Sequence, residues 1–334
     1  APPKAHPWLT EEEKNYILKG QEVKNSEEVE DETGAYNPGT GKLLSHKQSW
    51  GVIIASAAID PIWWLFIIWI PIYLSEKFGM NVKEIAFSAW VPYVGAMIGA
   101  WFGGLLAQRF LKNGKSVNYT RKFTVTLGCL IMLPALLSLS NPAKPSILAI
   151  FGVQPETVNI MIDPEVKDLL VNPAFSELTK NEEFITRLDG RTTTEIAQDP
   201  EVTTAIQMAE LDYVPDEYTL SSLSMLSEIN EAKTVAAFIT IFLMTLILFG
   251  FQTAIGNVQT LPSDFYSGKT VGTLSGFSGM AAKLTAAGLT SLVPFLTEGG
   301  NYAPAFIIGA SLALIALGSI WFLCGKIEPL KPTT

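Results

Sequence analysis

Two charged side chains stand where charge is expensive. Asp60 lies in the apolar run 50–74 and Lys283 in the run 270–296. Four further runs, 85–107, 123–141, 234–259 and 303–324, hold no Asp, Glu, Lys or Arg. A carboxylate in such surroundings is costly unless it is paired, protonated or wet, and it then suits ion coupling or gating. A lysine there offers a point charge for a substrate carboxylate. Three readings of Lys283 stand side by side: contact with an anionic substrate, a side chain snorkelling to the lipid face, and an ion pair with Asp60. Asp60 has a matching choice between coupling or gating and a structural bond. Pro61 behind it removes a backbone donor and invites a kink.

Two amides and several aromatics complete the set. Gln252 and Asn257 are candidates for sugar hydroxyls and equally for helix–helix contacts. Five residues apart, they sit about 140° apart on a helix. Both line one cavity only if it is wide or the helix irregular, which Gly256 permits. Trp64 is one turn from Asp60 and could meet the C–H face of a sugar ring. Trp50 and Tyr73 lie near the ends of the run and fit an interfacial belt. His6 and His46 are far apart and lack metal-ligand partners. No nucleophile–base pair, P-loop or Rossmann pattern occurs, so no enzyme, metal or cofactor reading survives; H⁺ or Na⁺ enters only as a coupling ion. Cys129 and Cys324 both lie in apolar runs and imply no disulfide framework.

The elements that position these residues follow from the runs themselves. Spanning a bilayer takes about 20 apolar residues in helical form, since hydrocarbon cannot satisfy an open backbone. The fold class is all-α membrane, with the lipid bilayer as its solvent. The average composition of 48% hydrophobic in 334 residues hides this. Residues 154–232 hold 17 Asp/Glu and 4 Lys/Arg, a net of −13 against −9 for the whole chain, so the rest nets +4. One insert therefore sets the acidity, and nucleic-acid binding has no support. The division is a cytoplasmic linker at 1–49, three spans and an outer surface segment (146–153) at 50–153, the extracytoplasmic insert at 154–232, three spans at 233–325, and a cytoplasmic tail at 326–334.

Local signals refine this. Thr10 with Glu13 is a capping box opening a short helix over 6–18, with Trp8 as a staple. In the insert, Asp163-Pro164-Glu165-Val166 echoes Asp199-Pro200-Glu201-Val202. Asp followed by Pro suits an N-cap and the first helical position, so the insert is expected to be a small helical domain. Arg109, Lys112, Lys115, Arg121 and Lys122 put the second loop in the cytoplasm. Both termini then lie inside and the insert outside. Gly95, Gly99 and Gly103 form one glycine stripe, and Gly268, Gly272 and Gly276 another. They fall on the second helix of each group of three, as in a three-plus-three inverted repeat, where they serve close packing, gating or both. Gly99 and Gly276 are the gating candidates.

Several stretches resemble the C-terminal half of hexuronate-type transporters, the anion:cation symporter branch of the major facilitator superfamily. They are His6-Pro7-Trp8-Leu9-Thr10, Asp60-Pro61-Ile62-Trp63-Trp64 and Trp69-Ile70-Pro71-Ile72-Tyr73-Leu74. Pro92-Tyr93, Gly103-Gly104, Arg121-Lys122, Gln252, Asn257, Leu261-Pro262-Ser263-Asp264 and Gly279-Met280 add to them. The likeness covers about 5–150 and 233–330 and excludes the insert. The chain departs from the family pattern at Phe251, Ala254 and Met97. The resemblance implies a six-helix half of a two-half transporter, with an N-terminal six-helix half as its missing partner and a small anionic substrate such as a hexuronate. It adds Tyr93 to the substrate-binding candidates Lys283, Gln252, Asn257 and Trp64. The alternative is a membrane-anchored binding module acting through 154–232.

Overall fold

The computed structural model describes residues 10–15, 36–140, 153–176, 178–209, 211 and 214–331. Trp8, the rest of the 6–18 segment beyond 10–15, and 146–152 lie outside them. Thr10 and Glu13 form the expected box: the Thr10 N–H donates to Glu13 Oε2 at 2.9 Å, and the Glu13 N–H to Thr10 Oγ1 at 3.3 Å.

Six long helices carry the apolar runs: α1 Lys47–Phe78, α2 Val91–Lys112, α3 Val117–Leu139, α4 Leu226–Gln259, α5 Gly268–Leu296 and α6 Ala303–Gly318. Six helical segments are long and apolar enough to cross a membrane, and no strand occurs among the described residues. The protein is an integral membrane protein. α1 runs unbroken through Pro61 and Pro71 and stops at Gly79, whose φ of 64° suits glycine alone. The run at 85–107 is divided. A short helix, Val82–Ser88, capped reciprocally by Asn81 and Glu84, precedes α2. Pro92 then sits in the first turn of α2, where its missing N–H costs nothing.

The two triplets exchange their second helices. α2 runs parallel to α4: Gly95, Gly99 and Gly103 lie against Thr245, Phe249 and Thr253 in turn. α5 runs parallel to α1, from the Ser49–Tyr266 bond of 2.8 Å at one end to Asp60–Lys283 further along. Each pair carries a threonine that reaches across to a neighbouring carbonyl, Thr253 to Gly99 at 3.2 Å and Thr285 to Ala57 at 2.6 Å. α3 and α6 pack behind them, with Gly128 and Gly250 letting α3 and α4 approach closely.

The insert is a set of short helices around its own core of Val166, Leu169, Phe175, Phe184, Leu188 and Leu223. Its two echoed segments behave alike. Asp163 caps Glu165 and Val166, Asp199 caps Glu201 and Val202, and a proline opens each helix. The first helix of the last triplet starts ahead of its apolar run, inside the insert's sequence. α4 begins at Leu226, and Leu226 and Ile229 belong to the insert's core. The first two turns of α4 are amphipathic, so the charge pattern ends the apolar run before the helix itself ends.

The insert sits at the end of the bundle where α2 and α4 begin. Lys180 bonds Glu84 at 3.2 Å there. The basic loop between α2 and α3 lies at the opposite end. So do the segment around Asn37, which accepts from Thr270 at the start of α5, and Ile327, whose N–H donates to Asn118.

Candidate functional site

Asp60 and Lys283 meet. The Lys283 ammonium lies 2.7 Å from Asp60 Oδ2, and the Trp64 indole N–H donates to the same oxygen at 3.1 Å. The ammonium also stands 5.1 Å from the centre of the Trp64 ring, close enough for a cation–π contact. Helix geometry builds this group. Asp60 and Trp64 are one turn apart on α1, and the parallel course of α5 brings Lys283 to their level. The two partners differ in exposure: the Asp60 side chain is 13% accessible and that of Lys283 60%. The carboxylate is therefore fixed in the wall while the ammonium is held at the open face. Gly276, Gly279 and Met280 share that face, and nothing lies within 4 Å of a Cβ built at either glycine. Such a lysine can exchange one carboxylate for another without rebuilding the fold.

The other candidates fall elsewhere. Gln252 is half-buried on α4 and makes no hydrogen bond to the pair. Tyr93 meets Trp63, 6.3 Å between ring centres, and Trp63 stacks on Phe251 at 5.5 Å. These rings form an aromatic group between α1, α2 and α4, built on the residue next to Trp64. Asn257 is 4% exposed and accepts from Arg121 Nη1 at 3.0 Å, near the α4 end remote from the insert. That placement makes it a helix–helix contact in this structure, separate from Lys283. Gly99 is pressed against the Phe249 backbone, so it is a packing position here. Among the described residues no group of three or more His, Cys, Asp or Glu is placed to hold a metal ion.

Residues 2–158 match the sequence model of the Major Facilitator Superfamily. The matched segment is just under half of the chain. The match ends inside the insert's first helix, Pro155–Ile162. The chain is 34% identical over 143 residues to the hexuronate transporter of Escherichia coli (strain K12), covering 42% of this chain and 32% of that protein. It is 35% identical over 132 residues to the galacturonate transporter of Dickeya chrysanthemi, covering 39% and 37%. It is 31% identical over 131 residues to the probable galactarate/D-glucarate transporter GudP of Bacillus subtilis (strain 168), covering 39% and 29%. The aligned part spans about a third of the length of these relatives. Superfamily and relatives alike are transporters, not enzymes. The architecture is six long apolar helices interrupted by a helical insert, with the major facilitator match on its first three helices.

One constellation among the spans, the tie made by Arg121, was not paired from sequence. Arg121, at the start of α3, donates from Nε to Asp264 Oδ2 at 2.8 Å and from Nη2 to Asp264 Oδ1 at 3.4 Å. Asp264 lies on the turn Leu261–Phe265 that joins α4 to α5. With the Asn257 contact, one guanidinium ties three segments together, and both charged side chains are about 85% shielded. The available signal was an Arg and an Asp each flanking an apolar run; their separation by 143 positions hid the pairing.

Proposed function

We propose that this chain is half of a secondary transporter for a small sugar acid, most simply a hexuronate, and that Lys283 receives the substrate's carboxylate. The supporting observation is the Asp60–Lys283 pair at 2.7 Å, with its carboxylate sheltered and its ammonium open. The relatives' names supply the substrate class. In this reading Asp60 and the substrate compete for one ammonium. The coupling ion, H⁺ or Na⁺, balances the Asp60 charge while Lys283 holds the incoming carboxylate; release of the substrate returns Lys283 to Asp60. Trp64 holds the ammonium in either state through its ring, and Tyr93 and Trp63 offer aromatic faces to the sugar. The missing N-terminal half supplies the opposite wall, and alternating access occurs around the site between them. The five-cation loop and the Arg121–Asp264 tie are assigned to the cytoplasmic end, and the insert to the outside, in a bacterial inner membrane. The rival reading, a scaffold acting through the insert, is not favoured, because the relatives are transporters.

The test is glucuronate binding by the complete transporter. Losing one charge-assisted hydrogen bond, about 1.5–3 kcal/mol, corresponds to roughly ten- to a hundred-fold in affinity. Lys283→Gln should lose that much while its thermal unfolding stays near that of the parent. Lys283→Arg should retain part of the affinity. Parental affinity in a folded Lys283→Gln protein would remove the lysine from the binding site.

A further inference from the structure

A cavity of about 750 Å³ opens between the insert and the membrane helices. Its walls come from the Val82–Ser88 helix with Trp90, from the insert around Lys180, and from the first part of α4. The superfamily match stops at residue 158, so two of these three walls, the insert and α4, come from outside that match. The two ends of the cavity differ in chemistry.

The polar end holds Lys180, Lys233, Asn230 and Glu84. Three of these are satisfied. Lys180 bonds Glu84 at 3.2 Å and the Gly79 carbonyl at 3.4 Å, and the Asn230 amide donates to the Thr179 carbonyl. Lys233 has no hydrogen-bond or ion-pair partner among the described residues. Two ammoniums against one carboxylate leave a single positive charge. The apolar end is a wall of Phe87, Trp90, Phe238 and Phe242, all exposed. Phe238 and Phe242 lie five and nine residues beyond Lys233 on α4, about 7 and 14 Å further along the axis at 1.5 Å per residue. Both rings line the cavity with Lys233, about 140° and 180° round the helix from it, so the wall wraps α4 as it runs down into the span.

A sugar acid is a poor occupant. Its hydroxyls each need a polar partner, and this wall is largely ring and hydrocarbon. An amphiphile with one negative charge at its head fits both ends. We propose that the cavity binds an anionic phospholipid of the surrounding leaflet, with its phosphate on Lys233 and its acyl chains along Phe238 and Phe242. A lysine at the membrane surface attracts anionic headgroups, and aromatic side chains suit that depth. The insert then closes over a lipid that fills the seam between it and the helices.

Trp90 reports on the cavity from its rim. The full chain is placed in nanodiscs containing phosphatidylglycerol or phosphatidylcholine brominated in the acyl chains. The Trp90 signal is the difference between the parent and Trp90→Phe. We expect brominated phosphatidylglycerol to quench it at a several-fold lower mole fraction than brominated phosphatidylcholine. Lys233→Gln should abolish that preference and Lys233→Arg should keep it. Phe242→Ala, at an exposed position that threatens the fold little, should lower the number of phosphatidylglycerol molecules retained in native mass spectrometry. Equal quenching by the two lipids in the parent would overturn the proposal. So would a preference that survives Lys233→Gln, or lipid retention indifferent to Phe242→Ala.

Discussion

The α2–α4 seam and the open face of α5 look alike in sequence and differ in structure. Each carries three glycines at four-residue spacing. In α2, a Cβ on Gly95, Gly99 or Gly103 would overlap Thr245, Phe249 or Thr253. In α5, a Cβ on Gly272 or Gly276 would meet nothing within 4 Å. The face of α5 that packs on α1 uses Ser278, Ala282 and Ala286, which are buried. Those three are the packing counterparts of the α2 glycines. The ion pairs divide in the same way: Arg121–Asp264 is shielded on both sides, whereas Lys283–Asp60 is shielded on one. One region is finished within this chain and the other is left open. Glycine spacing identifies a helix face; only the partner decides what that face does.

The ion pairs provide the sharpest way to break this contrast. Arg121→Gln strands a shielded Asp264 and removes the donor to Asn257, so it should destabilise the chain by about 2–4 kcal/mol, a little under the range for a fully buried pair. Lys283→Gln should cost about 1 kcal/mol or less, because the lysine is largely accessible and glutamine still offers a donor to Asp60. Thermal or denaturant unfolding in one detergent compares the two directly. Equal losses would mean that the α5 face is as integral to the fold as the seam. The glycines come next. Gly99→Ala pushes a methyl into the Phe249 backbone and should cost about 1–3 kcal/mol. Gly276→Ala adds a methyl to open space and should be neutral or stabilising by up to about 1 kcal/mol through helix propensity. The reverse order would sink the distinction between the stripes.

How much of this was legible in the sequence depends on the range of each signal. The six spans are local: a charge-free run states its own environment. The insert's two helix starts are local too, since Asp163 and Asp199 cap residues two and three positions away. Asp60 and Lys283 stood out because each is a lone charge in an apolar run, although sequence alone left three readings of the lysine open. The rest is long-range. Asn257 stood open between a sugar contact and a helix–helix contact; the partner of its oxygen, Arg121, lies 136 positions away. The early start of α4 was masked because its first turns face the insert, so polar and apolar residues alternate there. The cavity with Lys233 depends on how the insert docks, which no spacing encodes.

The smallest expected effect separates the insert from the seam by pH. The seam is made of glycine, threonine and backbone, with no titrating group in the contact. Three of the insert's helices start on carboxylates, Asp163, Asp199 and Asp216. Asp216 accepts the Thr219 N–H at 2.7 Å, and that backbone bond lowers its pKa below the usual carboxylate value. Glu195 is lowered likewise by the backbone N–H of Thr192, at 2.9 Å. A depressed folded-state pKa gives stability that is present above the unfolded value, near 4, and is lost as pH falls through the folded one. Acid also relieves the mutual repulsion of the insert's other carboxylates, which acts in the opposite direction. The informative quantity is therefore a difference. Between pH 6 and pH 3, hydrogen-exchange protection of residues 217–222 should fall further in the parent than in Asp216→Asn, whose amide caps the helix without titrating. Protection across α2 and α4 should change alike in both proteins. If the two proteins lose protection in parallel at 217–222, the Asp216 cap contributes nothing that titrates, and the insert is held, like the seam, by packing alone.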